Sequence, residues 1–212
     1  MPRAIKKTPP AQLRYSVHPG VHMVMKWVAE LEGKTGRTLA EWQKHIVKNG
    51  PKELQTRVAW LKEKYGLGSN TAWWLAERAG GQPTWDESEE AYLAIAPKYV
   101  EEMFSVKKAH LLPLFEKLLE LGRALGDDVK FCPCKTIVPF YRKHVIAQVK
   151  PSTNARIDFG LALGDTKATG KLIDTGGFKK KDRITHRFAL TKLDDIDVAV
   201  EHWLRIAYER DA

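Results

Sequence analysis

The groups best placed to do chemistry in this chain are polar residues in β-type runs. From Arg156 to Leu163, apolar Ile157, Phe159, Leu161 and Leu163 alternate with Arg156, Asp158, Gly160 and Ala162. An extended strand therefore puts Arg156 and Asp158 on one face. By the same alternation His144, Ile146, Gln148 and Lys150 point outward, and Val145, Ala147 and Val149 inward. A third run, Thr185 to Leu190, places Arg187 outward with Thr185. If these strands are neighbours, Gln148, Arg156, Asp158 and Arg187 form a cation-rich patch around one carboxylate. A buried Asp158 would be an acid/base group or the centre of a small-anion pocket. An Asp158 paired with an arginine is the simpler expectation.

The densest basic run is Phe178, Lys179, Lys180, Lys181, Asp182 and Arg183, behind Gly176 and Gly177. It reads either as a mobile loop whose lysines take phosphates as point charges, or as a flexible exposed turn. Lys135, Arg142, Lys143, Lys150, Arg156, Lys171 and Arg187 extend the set of candidate phosphate contacts, with Tyr141 and His144 available for stacking or hydrogen bonding. Cys132 and Cys134 stand at i and i+2 with Pro133 between them. Two thiols cannot form a zinc site without further ligands, so they read as packing residues. His18 and His22 are separated by Pro19 and Gly20 with no carboxylate cluster following, which argues against a metal there. The sequence contains no P-loop, GxGxxG, HExxH or GxSxG, and no cofactor is expected.

The elements that must position these groups are legible in outline. Val21, Val24, Met25, Val28 and Leu31 share a helical face with Gly33 placed as a stop. Thr38 and Glu41 have capping-box spacing ahead of Leu39, Trp42 and Ile46, and Asn49 with Gly50 end that helix. Pro51 fits the first turn of a third helix carrying Leu54, Val58, Leu61 and Tyr65. A fourth, from about Ser69 to Ala79, holds Trp73, Trp74 and Leu75. The third and fourth helices around Gly66 have a helix-turn-helix outline, in which Ser69, Asn70 and Thr71 would face bases. Six of the seven tryptophans fall in the first 85 residues, and in so small a unit they read as core. A stripe of Leu111, Phe115, Leu118, Gly122 and Leu125 precedes β runs Val129 to Phe131, Thr136 to Tyr141, His144 to Val149, Arg156 to Leu163 and Thr185 to Leu190. A final helix, capped by Asp194 or Asp195, presents Ile196, Val200, Trp203, Leu204 and Ala207 inward.

Composition places boundaries on this pattern. The 212 residues carry a formal +9. Residues 85–104 are acidic, net −5, while 129–192 hold net +10. The expected organisation is a disordered arm 1–16, a helical module 17–84, an acidic connecting segment 85–104 beyond Gly80 to Pro83, and an α+β domain 105–212. The fold class is thus a small all-α Trp-rich module plus a two-layer α+β domain with a mainly antiparallel sheet and a C-terminal helix. Without an apolar run of spanning length or a secretory h-region, a cytoplasmic, non-membrane protein is expected.

Two stretches carry family resemblances. KTGRTLAEWQKHIVKNG followed by ELQTRVAWLKEKYGLGSNTAWWLAERA, within 34–80, resembles the helical family called domain of unknown function 4287. That family commonly has a His-rich turn after Gly-Leu-Gly, where this chain has Ser69, Asn70 and Thr71. KTIVPFYRKHVIAQVKPSTNARIDFGLAL, THRFALT and WLRIAYE, within about 104–212, resemble domain of unknown function 5655. The resemblances imply architecture and carry no catalytic residues. Three readings follow: a non-enzymatic binder of nucleic acid or another polyanion through the basic sheet region; an enzyme or small-anion binder centred on Asp158 with Arg156 and Arg187; and an adaptor that binds protein through the helical module.

Overall fold

The computed structural model describes residues 14–80 and 88–212. The expected arm over 1–13, and residues 81–87 at the expected boundary, lie outside the described residues. Contacts divide the chain into His18–Tyr92 and a second unit of 14–17 with Leu93–Ala212. The division falls inside the acidic segment.

The first unit holds α1 (Pro19–Thr35), α2 (Leu39–Asn49), α3 (Leu54–Tyr65) and α4 (Ser69–Glu77). Helix α1 runs through Gly33, contrary to the expected stop, and ends at Gly36, whose φ of 71° is the left-handed conformation glycine adopts without strain. An interior glycine costs only about 1 kcal/mol against alanine, too little to break a helix held by packing on Val21, Val24 and Leu31. The capping box of α2 forms as read, with Thr38 and Glu41 exchanging hydrogen bonds. Helix α3 starts later than Pro51 suggested. Its cap is Glu53, whose carboxylate accepts from the Gln55 and Thr56 amides, satisfying donors that a helix start leaves unpaired. Trp42, Ile46, Leu61, Ala72, Leu75 and Ala76 make the core, with Trp27, Trp60, Tyr65 and Leu67 packed around it.

Helix α5 (Glu89–Met103) leads into a 3₁₀ turn, Val106–Leu111, and then α6 (Leu112–Arg123). Pro113 sits in the first turn of α6, where its missing N–H costs nothing. Six strands follow: β1 (Lys130–Phe131), β2 (Val138–Tyr141), β3 (Val145–Thr153), β4 (Arg156–Leu161), β5 (Ile173–Asp174) and β6 (His186–Leu190). They pair antiparallel in the order β1-β2-β3-β4-β6-β5. Helix α7 (Val198–Glu209) closes the chain. Phe140, Ala147, Val149, Ile157, Phe159, Leu161, Phe188 and Leu190 are buried along the inner face. Helix α6 approaches that face closely: a Cβ at Gly122 would lie 2.7 Å from the Phe131 ring and 2.9 Å from Phe140.

Several expectations of detail are corrected. Arg14 to Ser16, read as part of a loose arm, are held in the second unit. Tyr15 is 6% exposed, Arg14 pairs with Glu116, and the Ser16 amide donates to the Phe131 carbonyl at 2.8 Å. One tyrosine with an apolar ring to bury anchors a segment whose composition reads as polar. The cap of α7 is Asp197, not Asp194 or Asp195; its carboxylate accepts from the Ala199 and Val200 amides. Asp195 instead accepts from the Thr191 and Lys192 amides one turn earlier. Trp203 is only half-buried, whereas Val200, Leu204 and Ala207 form the buried stripe. At the start of β3 the parity is reversed. Phe140 pairs with Ala147 but Tyr141 with Val145, so Ile146 is an extra residue in a β-bulge and is fully buried in place of Val145.

Candidate anion site on the outer sheet face

The register of three strands assembles the polar patch. Gln148 lies opposite Gly160, and Gly160 opposite Arg187; one step along, Lys150 faces Asp158. Gly160 is needed by what crosses it: a Cβ there would stand 2.6 Å from Ile184 Cγ2 and 3.0 Å from Gln148 Cγ. With only hydrogen at that position, the segment before β6 folds over the strand and walls a cavity of about 490 Å³. Val145, Gln148, Lys150, Asp158 and Gly160 form its floor, and Thr175, Asp182, Arg183, Ile184 and Arg187 its sides.

Asp158 has two cationic partners. Arg187 Nη1 donates to its Oδ1 at 2.8 Å, and Arg156 Nε stands 2.9 Å from the same oxygen. Its side chain is 18% exposed, so it is a partly buried, doubly paired carboxylate. That arrangement pairs both guanidiniums with one carboxylate, whose other oxygen has a 3.4 Å contact from Arg156 Nη2.

The lysine run sits in a hydrogen-bonded turn. The Thr175 amide donates to the Thr185 carbonyl at 3.0 Å, and the Asp182 and Lys180 amides both donate to Gly177 O. Gly176 adopts φ 69° and its amide donates to Asp174. The loop's return is clamped by Arg183, whose Nε donates to Val145 O at 2.8 Å and whose Nη2 donates to Asp211 Oδ1 at 2.6 Å. Asp211 also accepts from the His144 amide and ring, at 2.7 and 2.9 Å. Burial pushes its carboxyl up, but the hydrogen bonds from His144 and the Arg183 charge outweigh that and hold it below the ordinary range. Phe178, 55% exposed, and the exposed Lys179 to Lys181 lie in this turn.

The cations picked out by sequence pattern thus separate into two groups, those paired with a carboxylate and those not. Arg142 donates to Asp128 at 2.8 Å and lies 4.0 Å over the Tyr208 ring. Lys171 pairs with the α7 cap Asp197 at 3.0 Å. Arg156, Arg183 and Arg187 are likewise paired with carboxylates. Lys135, Lys143, Lys150 and Lys179 to Lys181 have no carboxylate partner among the described residues. His144 is tied to Asp211, and burial pushes the Tyr141 phenol up to about 12. Thr185, expected outward, is buried, with its hydroxyl between the Leu163 amide and His186 Nδ1.

Other sequence candidates resolve into packing. Burial raises Cys132 to about 12 and Cys134 to about 11, so both stay thiols near neutrality. His18 caps α1 by accepting from Gly20 N, and His22 reaches Glu89 at 2.7 Å. Among the described residues no group of three His, Cys, Asp or Glu side chains could hold a metal. In the helix-turn-helix outline Ser69 and Asn70 are exposed, but Arg78 is buried and sits 4.3 Å over the Trp74 ring. A smaller cavity of about 280 Å³ in that unit is lined by Trp27, Leu31, Leu67 and Trp74 among others.

Sequence reasoning missed a second basic cavity of about 590 Å³. It is lined by Lys107, Lys108, Lys135 and Lys150 together with Ser152 and Asn154. The Lys107-Lys108 pair is visible in the sequence directly after the acidic segment, but only the fold brings it to the β3–β4 hairpin.

No helix among the described residues is long and apolar enough to cross a membrane. Residues 25–79 match the family described as domain of unknown function (DUF4287), and residues 100–211 match domain of unknown function (DUF5655). No curated protein and no solved structure matches the chain. With more than half of its length matched, and with the α+β unit coinciding with that match, the chain belongs to the family of domain of unknown function (DUF5655).

Proposed function

We propose that this protein binds nucleic acid or another polyanion along the outer face of its sheet. It would do so in a reducing cytoplasmic setting in which Cys132 and Cys134 remain thiols. The supporting observation is the division of the cations: carboxylates and backbone hold the arginines around the 490 Å³ cavity, while Lys150 in its lining, and Lys179 to Lys181 just before its lining residues Asp182 and Arg183 in the chain, have no carboxylate partner among the described residues. Fixed guanidiniums shape the surface and unpaired lysines supply the phosphate contacts, with Lys135 and Lys143 extending the strip. Lysine contacts position a phosphate backbone without reading bases, so low sequence preference follows. The Asp158-centred enzymatic reading loses support because both arginines already neutralise that carboxylate.

Binding to single- and double-stranded DNA and RNA across a salt series tests the reading. Replacing Lys179, Lys180 and Lys181 by glutamine should lower the magnitude of the log K against log salt slope by about 0.7 to 0.9 for each phosphate that these lysines neutralise. The same change at Lys26, Lys44 and Lys48 in the helical unit should leave the slope nearly unchanged. Absence of binding by the wild-type protein at low salt, or loss of binding only in the helical-unit variant, would overturn it.

A further inference from the structure

The second basic cavity is built on a strained turn. Its rim is made by the 3₁₀ turn Val106–Leu111 and its opposite wall by the end of β3. Val106 has φ 46° and is 88% exposed. A β-branched residue in the left-handed region is strained, and here the side chain makes no packing that would offset the strain. What the conformation achieves is the placement of the two residues that follow. Lys108 Nζ donates to Pro151 O at 2.7 Å, tying the turn to β3, and Lys107 lies beside it at the cavity edge. On the β3 side, Ser152 Oγ is shut off from solvent and has no hydrogen-bond partner. A hydroxyl left in that state is a group awaiting an acceptor or donor.

The charge selects the ligand class. Four lysines and one carboxylate, Glu102, line the cavity, an excess of three positive charges that a monoanion would leave largely uncompensated. Lysines bind phosphate as point charges, and hydroxyl and amide donors such as Ser152 and Asn154 complete such sites. The geometry points to a binding site for a phosphoryl dianion, a phosphomonoester or inorganic phosphate, held by Lys107, Lys108, Lys135, Lys150 and Ser152. This site stands apart from the polyanion reading. The two share Lys135 and Lys150, which are left unchanged in every variant below.

The test is a titration of the full chain with inorganic phosphate at low ionic strength, followed by amide chemical shifts. Saturable shifts confined to 105–108, 135–136 and 150–154 are expected. A Lys107→Gln and Lys108→Gln double variant should lose at least about tenfold in phosphate affinity, the scale of one to two charge-assisted hydrogen bonds. Lys179→Gln with Lys180→Gln should bind phosphate as the wild type does. Ser152→Ala gives a milder check that leaves the charges intact and should weaken binding severalfold. Shifts that fail to saturate, or that spread equally over Lys179 to Lys181, would overturn the site, as would undiminished affinity in both the double variant and Ser152→Ala.

One further arm separates two sources of the dianion. If the natural ligand is a strand end, an oligonucleotide with a 5′-phosphate should bind more tightly than its 5′-hydroxyl form in the wild type and equally in the double variant. A small phosphorylated compound as ligand predicts saturable phosphate binding with no such difference. Either result supports the site. Failure of nucleic-acid binding with retained phosphate binding would remove the polyanion reading and leave this one standing.

Discussion

The two units treat their positive charges differently. In the helical unit cations close over aromatic rings: Arg37 lies 4.9 Å from the Trp42 centroid, Lys64 5.8 Å from Trp60 and Arg78 4.3 Å from Trp74. His45 stacks on Trp60 and reaches the Tyr65 hydroxyl at 2.5 Å. In the α+β unit Arg142 also lies over a ring, that of Tyr208, but Arg156, Arg183, Arg187 and Lys171 are held by carboxylates. Lys135, Lys143, Lys150 and Lys179 to Lys181 have no such partner among the described residues. A cation over a ring or in a fixed pair stabilises the fold and is poorly placed to meet a ligand. Net charge is therefore a weaker guide to a site than the inventory of cations without partners. Residues 1–84 carry +8 of the chain's charge, and Lys48, Lys52 and Lys62 there also have no carboxylate partner among the described residues.

That contrast is broken most forcefully through the cores. Trp42 is 1% exposed and donates from its indole to Thr35 Oγ1 at 2.8 Å, and Phe159 is fully buried beneath the cationic strands. Either residue changed to alanine should destabilise its own unit by about 3 to 5 kcal/mol. Differential scanning calorimetry should assign each destabilisation to a separate transition. Trp42→Ala should leave the salt slope for nucleic acid unaltered, and a changed slope would relocate the site to the helical unit.

Next in size, Gly160→Val forces a side chain into the space held by Ile184 and Gln148. Overpacking of this kind costs about 1 to 3 kcal/mol. Because it also lifts the wall of the cavity, weakened polyanion binding should accompany the fall in stability, with the chemical denaturation midpoint and the salt series measured on the same variant.

Asp211 gives a smaller effect with a defined pH signature. Asp211→Asn removes the charge from bonds to His144 and Arg183, at about 2 kcal/mol. In the wild type the folded carboxyl titrates below its unfolded value of about 4. Its contribution is therefore present above that unfolded value and lost as pH falls through the folded one. The difference in urea midpoint between wild type and variant should be smaller at pH 3 than at pH 6. A constant gap would show that Asp211 acts through shape alone.

The mildest change expected is Trp203→Ala, about 1 kcal/mol, since a half-buried ring leaves a solvated notch and no closed cavity. Thermal unfolding of the α+β unit measures it. A cost approaching that of Phe159→Ala would place Trp203 in the core after all and undo the assignment of the α7 inner face to Val200, Leu204 and Ala207.

Local pattern determined much of this molecule. The Thr38 and Glu41 capping box, the Trp42 and Ile46 stripe, the strand alternation from Ile157 to Leu163 and the order of helices and strands all depend on residues a few positions apart, where periodicity speaks directly. The same alternation put Gln148, Arg156, Asp158 and Arg187 on one face, conditional on the strands being neighbours. Only the tertiary structure decided which charges are free. Asp211 is 28 residues from Arg183 and 67 from His144, and Asp197 is 26 from Lys171. Nothing local marks such partners, because an ion pair stabilises whichever charges the fold happens to bring within reach. The bulge at Ile146, the crossing of Gly160 by Ile184 and the strained turn at Val106 are likewise consequences of packing. Each trades a local preference for burial or placement elsewhere, and that balance is struck only once the chain has folded.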